Sequence, residues 1–237
     1  ACLSRHASLL GRKEVLTGKA KFGIFGDGKE LPQIAMARAF RRGDWRSGYY
    51  RDQTFMFSLG ECSLKQYFAQ LYADADATRE PASRGRQMNN HFASRFISEG
   101  GRWLSQTERF NSYADASPTA SQMPRLVGLG YASKLYRNIE ALRRDKDFSN
   151  NGDEIGFGTI GDASTSEGLF WESVNACGVL QVPVLISVWD DEFGISVPKS
   201  YQTTKGSISD VLAGFQKKEG DETGFEIYRV NAWDYKD

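Results

Sequence analysis

The chain has 237 residues, 40% hydrophobic, 13% aromatic and 25% charged, which excludes a disordered or fibrous protein and leaves material for a buried core. Thirty Lys and Arg balance 30 Asp and Glu, so the net charge is zero and the electrostatic footprint of a nucleic-acid binder is absent. At roughly 100 to 200 residues per domain, the length fits one α/β domain over residues 1–237 better than two small ones.

Cys2, Cys62 and Cys177 lack the close spacing of a zinc site or a disulfide framework, and they fit a reducing compartment. No window approaches 18 consecutive apolar residues, and the first residues, ACLSRHASLLGRKE, lack the apolar stretch of a signal peptide. An intracellular protein with no membrane segment is expected. Two histidines, His6 and His91, leave little material for chemistry that needs a histidine pair.

In chain order, Lys21–Gly28 is an apolar run closed by a turn, and Leu31–Phe40 has helical spacing of Leu31, Ile34, Ala35 and Ala37. The Gly26-Asp27-Gly28-Lys29 turn imitates a phosphate loop. It lacks the full Walker spacing and a hydroxyl residue after the lysine, so it reads as a plain strand-to-helix turn. Ser63 with Gln66 has the form of a capping box, and Leu64, Tyr67, Phe68 and Leu71 make one apolar face after it. From about Thr78 to Pro118 the periodicity disappears. A stretch this long is disordered or is a working loop over a site, and Phe92, Phe96, Trp103, Phe110 and Tyr113 argue against full disorder.

Ala120–Asn138 reads as a helix in which Gly128, Gly130, Ala132 and Ser133 suggest close approach to another backbone or a ligand. Ile155–Ile160 and Val182–Trp189 are apolar strands, separated by a helical pattern over Ser166–Leu180. Strand, helix, strand predicts a βαβ unit with parallel strands whose carboxyl ends share one edge of the sheet. The first strand runs into Gly161-Asp162 and the second into Asp190-Asp191. Two hard oxygen ligands at one edge suit Mg²⁺ or Ca²⁺, and helix N–H groups beginning near Ser164–Glu167 suit a diphosphate. For a lone Gly-Asp an ordinary helix cap is the better explanation; the second pair of acids tips the reading toward a metal site.

At this point the residues resemble a known family. Gly161-Asp162-Ala163-Ser164-Thr165-Ser166-Glu167-Gly168, Asn175, Pro183, Asp190-Asp191 and Ile195-Ser196-Val197-Pro198 resemble the thiamine diphosphate motif of 2-oxo acid dehydrogenases, in the alpha subunit of the decarboxylating component. Tyr50-Arg51, Gly85-Arg86-Gln87-Met88 with His91, and Ser117-Pro118-Thr119-Ala120-Ser121-Gln122-Met123-Pro124 match further segments in the same order, from about residue 30 to 200.

The resemblance implies a thiamine diphosphate-binding α/β fold, a mostly parallel sheet flanked by helices. It implies oxidative decarboxylation of pyruvate or a branched-chain 2-oxo acid, with the acyl group passed to a lipoyl group on a partner acyltransferase. Asp162, the Asp191 side chain and the Phe193 carbonyl would ligate Mg²⁺. Tyr50 and Arg51 would meet the diphosphate, Gly161 would sit in the motif's turn, Ala163 and Ser164 would offer N–H groups, and Ser117 and Thr119 would line the aminopyrimidine pocket. The glutamate that activates the cofactor ring comes from a beta subunit in this family, so no catalytic side chain is assigned here and the chain alone is expected to be inactive. Family location implies a bacterial cytoplasm or a mitochondrial matrix.

The departures carry information. Asp190 and Asp191 stand where the family usually has asparagines, which predicts a more acidic site and cofactor binding more dependent on the metal. Trp189 stands where some relatives have an arginine toward the diphosphate, and Ala116 stands where potassium-binding relatives have a hydroxyl residue, so potassium is not expected. The family's histidine-bearing loop has no counterpart before Asp237, which predicts a chain lacking its carboxyl-terminal part, with His91 in a loop wall. Two other readings stay open: another thiamine enzyme such as an acetoin-cleaving one, and a non-catalytic assembly half.

Overall fold

A computed structural model describes residues 1–234. In chain order the elements begin with α1 (Cys2–Leu16), α2 (Glu30–Ala39), β1 (Trp45–Ser47), α3 (Gln53–Leu59), α4 (Leu64–Leu71) and β2 (Asn111–Ser112). They continue with α5 (Gln122–Asn138), β3 (Gly156–Gly161), α6 (Gly168–Leu180), β4 (Val184–Trp189), β5 (Phe193–Gly194), β6 (Val197–Pro198) and α7 (Ile208–Leu212). The chain divides into two compact units: residues 1–42 and 48–117 with those from Asn231, and residues 43–47 with 118–230.

In the first unit, Ala7, Ala20, Phe25, Tyr67 and Leu71 form an apolar cluster. The predicted capping box is present: Gln66 N–H donates to Ser63 Oγ at 3.2 Å, and Ser63 N–H donates to Gln66 Oε1 at 2.8 Å. Helix α1 escapes the apolar pattern because its buried face is Ser4, Ala7, Ser8, Gly11 and Glu14, while Leu3, Leu9, Leu10 and Leu16 are exposed. Gln53 holds that face. Its Nε2 donates to Ser4 Oγ and Ser8 Oγ, both at 2.9 Å, and its Oε1 accepts from Gly26 N–H at 3.0 Å.

Lys21–Gly28 carries no strand. Its backbone partners are side-chain amides: Ile24 N–H donates to Asn89 Oδ1 at 2.9 Å, and Ile24 O accepts from Asn89 Nδ2 at 2.7 Å and Asn90 Nδ2 at 2.6 Å. An extended segment satisfied in this way needs no neighbouring strand. The segment from Thr78 to Pro118 is irregular apart from β2 and one bridge between Ile97 and Trp103. Polar groups organise it. The buried Glu80 carboxylate accepts the N–H groups of Ala82, Ser83 and Gly85 and the Ser83 hydroxyl, shaping the Gly85-Arg86-Gln87-Met88 turn.

The second unit contains the predicted βαβ. β1 pairs with β3 and β3 with β4, all parallel, with Gly156 opposite Val184 and Gly161 opposite Trp189. Ile160 joins Val184, Ile186 and Val188 against Met123 and Leu126 of α5 and Phe170 and Val174 of α6. These alternate positions share one sheet face. Ser47 Oγ donates to Gln122 O, and Gln122 Nε2 to Thr159 O, both at 2.9 Å, tying α5 to the sheet. The helix after β3 begins later than the sequence pattern indicates. Residues Ala163–Ser166 form a 3₁₀ turn, and α6 starts at Gly168 with Glu167 as its extended cap.

Close approach explains one of the two helix glycines. A Cβ on Gly130 would lie 2.6 Å from Val184 Cγ1, whereas one on Gly128 meets open space. Gly130→Val is therefore expected to destabilise the chain by about 2 kcal/mol through overpacking. Gly128→Ala should stabilise it by up to about 1 kcal/mol through helix propensity. Denaturant unfolding of both variants checks the pair, and equal signs would contradict the packing.

Candidate functional site

The in-register parallel pairing that ends at Gly161 and Trp189 delivers Asp162 and Asp190 to the same sheet edge. Asp162 N–H donates to Trp189 O at 3.2 Å, so the turn after β3 is fastened to the end of β4. Asp162 is 4% exposed. Its carboxyl group bonds to the Ala163 N–H and to the Asp190 side chain, and its pKa rises to about 6. Desolvation is the main cause, followed by the charges of Asp191 and Asp190. Burial and the two neighbouring carboxylates thus act in the same direction, against the charged form.

The remaining acids are held by their own loop. Asp190 Oδ1 accepts from Glu192 N–H at 3.1 Å and Asp191 Oδ1 from Phe193 N–H at 3.4 Å. Lys199 Nζ lies 2.9 Å from Asp190 Oδ2 and 3.4 Å from Glu192 Oε1. Desolvation pulls the Lys199 pKa down, but the Asp190 and Glu192 carboxylates outweigh it and leave it raised. The sequence pattern gave no sign of this pairing, and it offsets one of the two negative charges introduced at Asp190 and Asp191. Phe193 opens the β5–β6 hairpin, which approaches the 3₁₀ turn closely: a Cβ on Gly194 would lie 2.6 Å from Ala163 Cβ. The second unit thus brings together Asp162, Ala163, Asp190 and Asp191, with Ser164 in the same turn as Ala163. Among the described residues, no three His, Cys, Asp or Glu side chains are arranged as a metal-binding group.

Trp189 closes β4 with its ring 7% exposed, and its Nε1 has no hydrogen-bond partner. An unpaired buried donor costs about 1 to 3 kcal/mol, so this N–H is a standing demand for an acceptor.

In the first unit, Tyr50, Arg51, His91 and Ser117 form a second constellation. The Arg51 guanidinium carbon lies 5.9 Å from the Tyr50 ring centroid, and Nη1 donates to Phe25 O at 2.6 Å. Among the described residues no carboxylate pairs with Arg51, so its charge is not spent on an ion pair. Tyr50 stacks on His91 at 6.2 Å between centroids, and Ser117 Oγ lies 3.0 Å from His91 Nε2. His91, Phe92, Asp115, Arg86 and Gln87 line a cavity of about 240 Å³. Thr119 is exposed in the second unit. The sequence reading left His91 as loop wall; its bond to Ser117, 26 residues later, has no local signal.

The sequence pattern of the family described as "Dehydrogenase E1 component" matches residues 3–217. The chain belongs to this family. Among E1 relatives, the 2-oxoisovalerate dehydrogenase subunit alpha of Bacillus subtilis (strain 168) is 28% identical over 200 residues, covering 84% of this chain and 51% of that protein. The mitochondrial 2-oxoisovalerate dehydrogenase subunit alpha 1 of Arabidopsis thaliana is 28% identical over 191 residues, 81% of this chain and 34% of the relative. The pyruvate dehydrogenase E1 component subunit alpha of Acholeplasma laidlawii is 24% identical over 213 residues, 90% of this chain and 49% of the relative. The E1 chain here spans between a third and a half of the length of these relatives. No helix among the described residues is long and apolar enough to cross a membrane.

The raised Asp162 pKa fixes a pH dependence. Between the ordinary value of 3.8 and about 6, the folded chain binds more protons than the unfolded one. Its stability should therefore fall as pH rises through that window. In metal-free buffer, Asp162→Asn should remove this slope and stabilise the chain at pH 7 by about 2 kcal/mol. Chemical unfolding at pH 4 and pH 7 reads both effects; an unchanged slope in the variant would remove the assignment.

Proposed function

We propose that this E1 chain serves the thiamine diphosphate-dependent oxidative decarboxylation of a 2-oxo acid, pyruvate or branched-chain, together with a beta subunit and a lipoyl-bearing acyltransferase. The observation that carries the reading is the meeting of Asp162 with Asp190 and Asp191 at one strand edge. Carboxylates that converge at one strand edge suit a hard divalent ion, which takes oxygen ligands and shares them with phosphate. The donor set therefore fits Mg²⁺ with a diphosphate.

In this reading Asp162, Asp191 and the Phe193 carbonyl hold Mg²⁺, while Lys199 keeps Asp190 neutralised outside the ligand set. Ser164, in the helical turn after Gly161, would offer its N–H to the diphosphate, and the Ala163 N–H, bonded to the Asp162 carboxyl group, would turn to it only on exchange of that bond. Trp189 stands at the position where some relatives carry arginine, so the diphosphate has one positive contact fewer. Tyr50 fixes the plane of Arg51, whose guanidinium is suited to phosphate. Ser117 and Thr119 line the aminopyrimidine. When bound, thiamine diphosphate supplies the electron sink for decarboxylation; the residues above orient it, and the acid that activates its ring belongs to the beta subunit. A bacterial cytoplasm or mitochondrial matrix follows from the same reading.

Calorimetry with the matching beta subunit tests this. Thiamine diphosphate with Mg²⁺ should bind, and Asp162→Ala should weaken binding at least about tenfold. Absence of binding to a folded wild-type assembly would instead favour a non-catalytic half. Turnover of a 2-oxo acid panel with a lipoyl acceptor should single out pyruvate or branched-chain acids; cleavage of acetoin alone would overturn the substrate class.

A further inference from the structure

We infer that His91 fixes the hydrogen-bond polarity of Ser117, making its hydroxyl an acceptor for a ligand amino group and a poor partner for a ligand carbonyl. His91 is 2% exposed. Its Nδ1 faces two main-chain carbonyls, Met88 O at 3.1 Å and Asn89 O at 3.2 Å. Carbonyl oxygens only accept, so the Nδ1 atom carries the proton; a bare nitrogen would set lone pair against lone pair. In the neutral ring Nε2 is then an acceptor. Its partner is Ser117 Oγ at 3.0 Å, which therefore donates its single hydrogen inward.

Ser117 itself is exposed. With its hydrogen committed to His91, what it offers outward is lone pairs. Turning that hydrogen toward a ligand would strand the buried Nε2, which a buried acceptor resists. The stacking of Tyr50 on the His91 ring and the two carbonyls at Nδ1 hold the imidazole in this orientation. His91 is thus a positioning residue and Ser117 a specificity determinant for a heteroaromatic ring bearing an exocyclic amine. The inference rests on the proposed function, in which Ser117 lines the aminopyrimidine, and it adds the direction of the bond and the residue that sets it.

The test pairs thiamine diphosphate with oxythiamine diphosphate, in which an oxo group replaces the amine, by calorimetry at pH 8 with Mg²⁺ and the matching beta subunit. Wild type should prefer the amino ligand at least about tenfold, and Ser117→Ala should cut the preference to within about threefold, chiefly by weakening the amino ligand. Ser117→Ala leaves the buried His91 Nε2 without its partner, so circular dichroism should first show the variant folded; His91→Phe should act in the same direction. Both ligands binding with an unchanged ratio in Ser117→Ala would overturn the inference alone. Neither ligand binding to wild type would overturn the placement of Ser117 at the cofactor and the inference with it. Independently, long-range proton–nitrogen NMR of the ligand-free chain at pH 8 should find His91 protonated at Nδ1 and bare at Nε2. A proton on Nε2 would overturn the assignment without reference to any ligand.

Discussion

The parallel register of β3 and β4 is the constraint on which the second unit's chemistry depends. Because Gly161 stands opposite Trp189, the chain leaves both strands at the same level, and the acids that follow have no choice but to meet. A slip of one residue would reverse every side chain of one strand, putting Val184, Ile186 and Val188 on the wrong face and breaking the cluster with Leu126, Ile160 and Phe170. The apolar core and the acidic edge are therefore one specification. The glycines of β3 belong to it too: a Cβ on Gly158 would lie 2.3 Å from Leu126 Cδ2, so the strand is bare where α5 presses on it. Burial of the core holds in place a local arrangement that is electrostatically unfavourable by itself, as the raised Asp162 pKa shows.

The first unit is organised differently. Its long segment from Thr78 to Pro118 has almost no regular structure, yet Glu80, Asn89, Asn90, His91, Phe92 and Asp115 are all buried. Backbone groups that lack a ladder must find partners elsewhere, and here side-chain carboxylates and amides provide them. Glu80 gathers three backbone N–H groups of the Gly85-Arg86 turn, Asp115 accepts from Phe92 N–H at 3.0 Å, and Asn89 serves Ile24 as a substitute strand. Segments fixed in this way stay rigid without burying their outward side chains, which leaves Arg86, Gln87 and Ser117 exposed.

This difference explains what the sequence could disclose. The βαβ unit was legible because apolar runs of strand and helix period lie next to one another, and the Ser63 capping box because both partners lie within one turn. Helix α1 was not legible: its inward face is Ser4, Ser8, Gly11 and Glu14, chosen for contact with Gln53 and Phe25, and its leucines face outward. Lys21–Gly28 looked like a strand because its composition suits extended backbone; its actual partner, Asn89, lies 65 residues from Ile24. The 3₁₀ turn at Ala163–Ser166 is equally silent, since Ser and Thr there satisfy helical and non-helical turns alike. The family resemblance pointed to Tyr50, Arg51, Asp162 and Asp191, but not to the contacts that surround them, such as those of Asp162 with Asp190 and of Tyr50 with His91.

Lys199 illustrates the last point. Asp190 and Asp191, where the family resemblance leads one to expect asparagines, would on composition alone leave an excess negative charge at the strand edge. Lys199 answers Asp190 at 2.9 Å, with its own N–H bonded to Glu192 O at 2.8 Å, so the backbone that delivers the ammonium group is fixed by the same loop that delivers the acid. Both neighbours raise the Asp162 pKa, Asp191 through its charge and Asp190 through its charge and a side-chain hydrogen bond. A change that looks like a plain increase in acidity thus comes with a rebuilt network, in which one ammonium group is shared between Asp190 and Glu192.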